Sequence, residues 1–206
     1  MIYYEFISEV LGKFEGKGIA RGYVPCTKGT WYGGNDPEKG PALGASGVTI
    51  ATGVDLGQQT IHGLLNMGVP VDIVEILEPY IGLKREQAIQ KLKAAPFAIT
   101  PKQVIDIDNA VKRHYINDTA DKFGKVVFEA APKEVQAVAA SLCYQFGTPQ
   151  RDASPSLKLA WDRMISGEYK KAAEFLTYQS GWSTSHQIYL PRRRLEAALL
   201  NSIVEG

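Results

Sequence analysis

Phe6, Ile7, Val10, Leu11 and Phe14 recur at helical spacing near the start of the chain, and Gly16 offers a stop. The first predicted element is therefore an amphipathic helix that ends at Glu15. The pattern then changes. Twelve of the twenty glycines fall between Gly12 and Gly57, with short extended pieces such as "RGYVP" at 21–25 and "TWYGG" at 30–34 between them, which predicts a small irregular β-lobe. Beyond Gly57 the texture becomes helical with clear punctuation. Thr100 caps and Pro101 opens "PKQVIDIDNAVKRHY". Pro132 opens a helix at 132–146 that stops at Gly147, and Ser154-Pro155 opens another that stops at Gly167. Further helices are predicted over 60–66, 71–78, 84–94, 168–178 and 191–204. No repeat of fixed period is present, and the stretch "GTPQRDASPS" at 147–156 is too short to separate independent domains. The architecture expected is a single α+β domain, with a β-lobe at about 16–58 facing a helical lobe at about 1–15 and 59–206 across a cleft.

Composition narrows the partners. At 206 residues and 45% hydrophobic content the chain can bury a sizeable core, and 23 basic against 22 acidic residues provide no field of one sign, which argues against nucleic acid as a partner. The longest apolar runs, such as "AVAASL" at 137–142, fall far short of the roughly 20 residues a membrane span needs. "MIYYEFISEV" carries acids where a secretory signal needs positive charge, so any action outside the cytoplasm calls for delivery by another system or a fused domain. Cys26 and Cys143 form no CxxC pair and read as free thiols. Cys143 borders the inward face expected of helix 132–146, marked by Val135, Val138, Ala139 and Leu142. His62, His114 and His186 are scattered and form no HExxH-type spacing, so no metal site is expected.

Chemistry concentrates in "GVTIATGVDLGQ" at 47–58. Thr49 and Asp55 share one parity of an alternating strand, yet a straight strand would hold them about 20 Å apart. A turn at Gly53 would bring Asp55 back beside Thr49. Each residue has an ordinary reading as well: a glutamate at a helix end is commonly solvated, threonine is a good strand residue, and an aspartate between glycines can bond its own turn. Taken together, Glu15, Thr49 and Asp55 make a carboxylic acid to protonate a leaving oxygen and a carboxylate plus hydroxyl to hold a water. Glycosidases use that division of labour.

Several motifs then fall in order along nearly the whole chain: "FEG" at 14–16, "GYVP" at 22–25, "GVTIATGVDLGQ", "ITPKQVIDIDNAV", "PKEVQAVAASLCYQFG", "SLKLAWDRMISGEYKKAAEFL" and "SGWSTSHQIYLPRRRLEAAL". In these the chain resembles the phage-lysozyme-like muramidases, and within them the pesticin-type toxin domains. The resemblance implies a lysozyme-like fold and hydrolysis of the β-1,4 glycan of bacterial peptidoglycan without cofactor. It implies that Glu15 is the general acid, Thr49 the hydroxyl that positions water, and Asp55 the second carboxylate. Tyr23, Gln145 and Arg193 are then expected to bind substrate. T-even phage lysozymes place the second acid six residues before the threonine, where this chain has Leu43, whereas the pesticin order matches. Asp36 and Glu38, in "WYGGNDPEKGPALGAS" at 31–46, are the fallback acids. In the RRxxE pattern, Arg192, Arg193 and Arg194 fan around about 200° of a helix and make no single patch, so structural ion pairing is expected, with Arg193 at the rim of the sugar site. A monomeric enzyme acting in the periplasm is expected, either as a toxin, for which an immunity protein could exist, or as a phage endolysin. The alternatives are a wall-binding or phage-tail module of the same fold without hydrolysis, and a lytic transglycosylase.

Overall fold

The computed structural model of the chain describes residues 1–37, 39–146, 155–178 and 190–203. It has two compact units: Met1–Phe14 with Tyr115–Gly206, and Glu15–His114. The class is α+β, as expected, with a four-stranded antiparallel sheet and many helices. No helix among the described residues is long and apolar enough to cross a membrane. Glu38, His186, the Ser154 cap, the Gly147 stop and most of 147–156 lie outside the described residues.

The unit Glu15–His114 holds the sheet. Strands β1 (Ile19–Cys26), β2 (Gly29–Trp31), β3 (Thr49–Ala51) and β4 (Val54–Asp55) are ordered β2-β1-β3-β4. In β1, Gly22, Val24 and Cys26 are buried while Arg21, Tyr23 and Pro25 are not, the period-2 alternation of a strand with one face on a core. This unit extends well past the sheet. It takes in helices α2 (Ile61–Met67), α3 (Val71–Leu77), α4 (Arg85–Ala94) and the first part of α5 (Pro101–Phe123). Each starts close to where the sequence pattern placed it. The Thr60 side chain caps α2 by accepting from Gly63 N. At α5, Thr100 Oγ1 accepts from Gln103 N at 3.2 Å while Gln103 Oε1 accepts from Thr100 N at 2.9 Å, a reciprocal capping box.

The other unit is helical, with α1 (Tyr4–Glu15) contributing as far as Phe14, then the end of α5, α6 (Lys125–Ala130), α7 (Lys133–Phe146), α8 (Pro155–Ile165), α9 (Tyr169–Thr177) and α10 (Leu190–Asn201). α10 packs on α9 and α7, and α8 on α9. Ile7, Val10 and Leu11 of α1 are buried, as their spacing requires. Three features depart from the sequence expectation. α5 continues past Tyr115 to Phe123. α6 has no periodic signal, because Phe128 is buried while Val126 is 84% exposed in a six-residue helix. In α7 every residue from Val135 to Cys143 is buried, so the helix has no single inward face and is enclosed on all sides. Cys143 is a free thiol at 1% exposure, and burial pushes its pKa up to about 11.

Enclosure forces the polar residues of α7 to find partners. Gln136 is fully buried. Its Nε2 donates to Met1 O at 2.9 Å, Phe128 O at 2.9 Å and Ala131 O at 3.1 Å, and its Oε1 accepts from Tyr3 N at 3.1 Å. One side chain thus ties the N-terminal segment and the end of α6 to α7. Gln136→Leu is expected to lower unfolding stability by about 1–3 kcal/mol, by leaving the buried Ala131 O without its donor and cutting the ties to Met1 O, Tyr3 N and Phe128 O. A urea melt followed by circular dichroism reads this directly, and a change below about 0.5 kcal/mol would contradict the assigned role.

Candidate active site

The segment 47–58 does bend. β3 and β4 form a tight hairpin through Ala51, Thr52 and Gly53, with Ile50 opposite Val54 and Thr49 opposite Asp55. Cross-strand partners carry their side chains on one face with Cβ atoms about 4.5–5.5 Å apart, so the hydroxyl and the carboxylate are neighbours. On the other side of β3, Thr49 pairs with Tyr23 of β1. Tyr23, Thr49 and Asp55 therefore form one row across three strands. Burial first, then Tyr32 and the Asp55 charge, push the Tyr23 phenol above its ordinary pKa.

The turn is built with backbone in the left-handed region, Ala51 at φ 55° and Gly53 at φ 90°. Gly53 adopts this freely, whereas Ala51 does so at a cost of about 1–2 kcal/mol. Asp108 of α5 holds the residue between them: Thr52 donates to Asp108 Oδ1 from its backbone N at 3.0 Å and its hydroxyl at 2.5 Å. The packing there is close, since a Cβ on Gly18 would lie 2.5 Å from Val104 and 3.2 Å from Asp108.

Asp55 is anchored by two backbone amides. Gly57 N donates to its Oδ1 at 2.9 Å, where Asp55 caps a single 3-10 turn at Leu56–Gln58, and Gly47 N donates to the same oxygen at 3.0 Å. The convergence needs two glycines. A Cβ on Gly47 would lie 2.4 Å from Leu83 O and 2.5 Å from Gly57 Cα, and one on Gly57 would lie 2.6 Å from Leu83 O and 2.8 Å from Gly47 Cα. Two peptide units that no side chain could enter between thus fix one carboxylate oxygen. Oδ2 takes no hydrogen bond from any described residue, and Asp55 is only half-buried. The ordinary reading of Asp55, bonding its own turn, is thus true of Oδ1, while Oδ2 has no such partner among the described residues. Thr49 is 4% exposed, and its hydroxyl donates to Gly47 O over a long 3.4 Å. The Gly47 peptide thereby touches both residues, through its carbonyl to Thr49 and through its N–H to Asp55.

A family model described as pesticin, the C-terminal domain of a bacterial toxin homologous to phage lysozyme, matches residues 4–170. The chain belongs to the pesticin family. No curated protein matches it as a relative. The family match spans Glu15, Thr49 and Asp55 as well as Tyr23 and Gln145, and stops short of Arg193.

The remaining candidates of this pesticin-family chain fall in several places. Glu15 is the last residue of α1, half-buried, and the chain runs from it through 16–18 into β1. Gln145 and Arg193 bond each other in the helical unit: Arg193 Nη2 donates to Gln145 Oε1 at 2.6 Å and to Glu196 Oε1 at 2.8 Å, with the guanidinium 5.4 Å from the Phe146 ring centroid. Arg193 and Glu196 are both 0% exposed. Ser141 Oγ donates to Glu196 and accepts from Arg192 at 2.9–3.0 Å. Desolvation lowers Arg193 to about 10 and raises Glu196, with their attraction opposing both shifts. This is the structural ion pairing expected of the RRxxE pattern, and a guanidinium with no exposed surface offers nothing for a sugar to touch. Asp36 is ion-paired to Arg21 at 3.0 Å, while Glu38 lies outside the described residues. Sequence reasoning missed Asp108 altogether. No local pattern marks it, since the turn it clamps lies 56 residues away.

Asp108→Ala is expected to free the turn, lowering stability by about 1–3 kcal/mol. Exchange of the Thr52 amide with deuterium should rise more than at β1 amides. Uniform loss of protection across the sheet, or none, would refute a local clamp.

Proposed function

We propose that this pesticin-family protein is an N-acetylmuramidase that hydrolyses the β-1,4 glycan of bacterial peptidoglycan, used as an antibacterial toxin in the periplasm of a target cell. The observation that carries this reading is the cross-strand pairing of Thr49 with Asp55, in a chain of a family homologous to phage lysozyme, with one Asp55 oxygen held by backbone and the other left open. Glu15 protonates the glycosidic oxygen as the bond to the anomeric carbon breaks. A water beside Oδ2 of Asp55 gives up a proton to that carboxylate as its oxygen attacks, and the Thr49 hydroxyl orients it. The water attacks from the face opposite Glu15, so the product is inverted. Inversion calls for carboxyl groups about 6.5–9.5 Å apart, whereas a covalent retaining route needs about 5–5.5 Å.

Glu15→Gln is expected to fold normally and lose lysis of purified cell walls by about 10²–10⁴-fold, because the amide cannot donate the proton. Asp55→Asn should lose a comparable factor, and Thr49→Ala less, since the water is loosened rather than deprived of its base. The stereochemistry is read by proton NMR of a defined oligosaccharide before mutarotation. Release of the α-anomer first fits inversion. First release of the β-anomer would remove the role given to Asp55, an anhydro-sugar product would make the enzyme a transglycosylase, and full lysis by Glu15→Gln would move the acid elsewhere.

A further inference from the structure

The row that contains Asp55 does not end at Tyr23. β1 and β2 pair Val24 with Trp31 and Pro25 with Thr30, and continuing that register by one residue sets Tyr32 opposite Tyr23. Their rings lie 6.1 Å apart at 55°. Tyr32, Tyr23, Thr49 and Asp55 thus form one line across the sheet. With strands about 4.8 Å apart, three steps separate Tyr32 from Asp55 by about 14 Å, farther than one sugar ring reaches.

The Tyr32 end of the line is built rather than loose. The Arg21 guanidinium sits 5.4 Å from the Tyr32 ring centroid, and its Nη2 lies 3.0 Å from Asp36 Oδ2. Asp36 is in turn placed by its own backbone: its N donates to Gly33 O at 3.2 Å, and its O accepts from the indole of buried Trp31 at 3.1 Å. Tyr32 is half-buried and its hydroxyl has no hydrogen-bond partner among the described residues. The Arg21 side chain is 46% exposed and has donors beyond the one turned to Asp36.

We propose that Tyr32 and Arg21 form a distal saccharide subsite, a place where an amino-sugar ring two or more units from the scissile bond rests its C–H face on the tyrosine while Arg21 donates to the acetamido or lactyl carbonyl of that stretch of glycan. This rests on the muramidase reading and deepens it. Binding energy gathered far from the bond then serves to hold the reacting sugar against Thr49 and Asp55.

The test titrates an uncross-linked GlcNAc–MurNAc tetrasaccharide into the Glu15→Gln protein by calorimetry, so that no substrate is consumed. Against that parent, adding Tyr32→Ala is expected to weaken binding about tenfold, and Tyr32→Phe, which keeps the ring, by less than about threefold. Adding Arg21→Ala should weaken it by a factor between the two. Tyrosine ring signals of the parent should shift on titration and the Tyr32 signal should be among them. Equal affinity for parent and Tyr32→Ala, with both melting as folded proteins, overturns the subsite but leaves the muramidase reading intact. No binding of the tetrasaccharide by the parent overturns both. If Tyr32→Ala fails to fold, Tyr32→Phe and Arg21→Ala together with the Tyr32 signal decide the matter: no shift and no loss in Arg21→Ala overturns it.

Discussion

The close approach of the Gly47 and Gly57 peptides is the constraint on which the candidate site depends. The two backbone N–H groups that converge on one Asp55 oxygen come from peptide units packed against each other, and a single Cβ on either glycine would sit inside the van der Waals distance of the other's backbone. The result is an asymmetric carboxylate. Oδ1 of Asp55 is bound as tightly as a cap residue's oxygen, while Oδ2 keeps its lone pairs. A base that must face one water in one direction benefits from that arrangement, because orientation is settled before any substrate arrives.

The hairpin supplies the rest by geometry. Antiparallel pairing converts six residues of sequence separation into one inter-strand step, and it does so on the same face because residues directly opposite on paired strands point to the same side of the sheet. The turn that permits this stores strain at Ala51, and Asp108 offsets it through two bonds to Thr52. Tyr23 and Tyr32 then extend the same row without any further device, since register alone places them. A slip of one residue in β3 would turn Thr49 to the other face and dissolve the line.

The helical unit solves a different problem. α7 is enclosed on all sides, so its polar side chains must be satisfied inside the protein: Gln136 by backbone groups, Ser141 by Glu196 and Arg192. The buried Arg193–Glu196 pair pays desolvation on both members, and removing Glu196 alone would leave the Arg193 guanidinium buried without a counter-charge, at a loss of about 3–5 kcal/mol. The same chemistry that reads as a substrate-binding arginine in sequence is therefore used to hold α10 against α7.

By itself the sequence determined the local elements and the chemistry on offer. The Thr100 cap, prolines at helix starts, and the 3.6-residue spacing of Ile7, Val10 and Leu11 act over a few residues, so their outcome is legible without the fold. The parity of Thr49 and Asp55 and the glycines between and around them carried the bend for the same reason. What only the tertiary structure decided is every relation between distant segments: that Asp108 clamps the turn, that α7 has no solvent face, that Tyr32 lines up with Tyr23, and that Arg193 is sealed against Glu196. Those outcomes depend on which surfaces meet, and burial reverses the meaning of a side chain. An arginine in water is a ligand for an anion, while the same arginine out of water must be given a partner by its own chain.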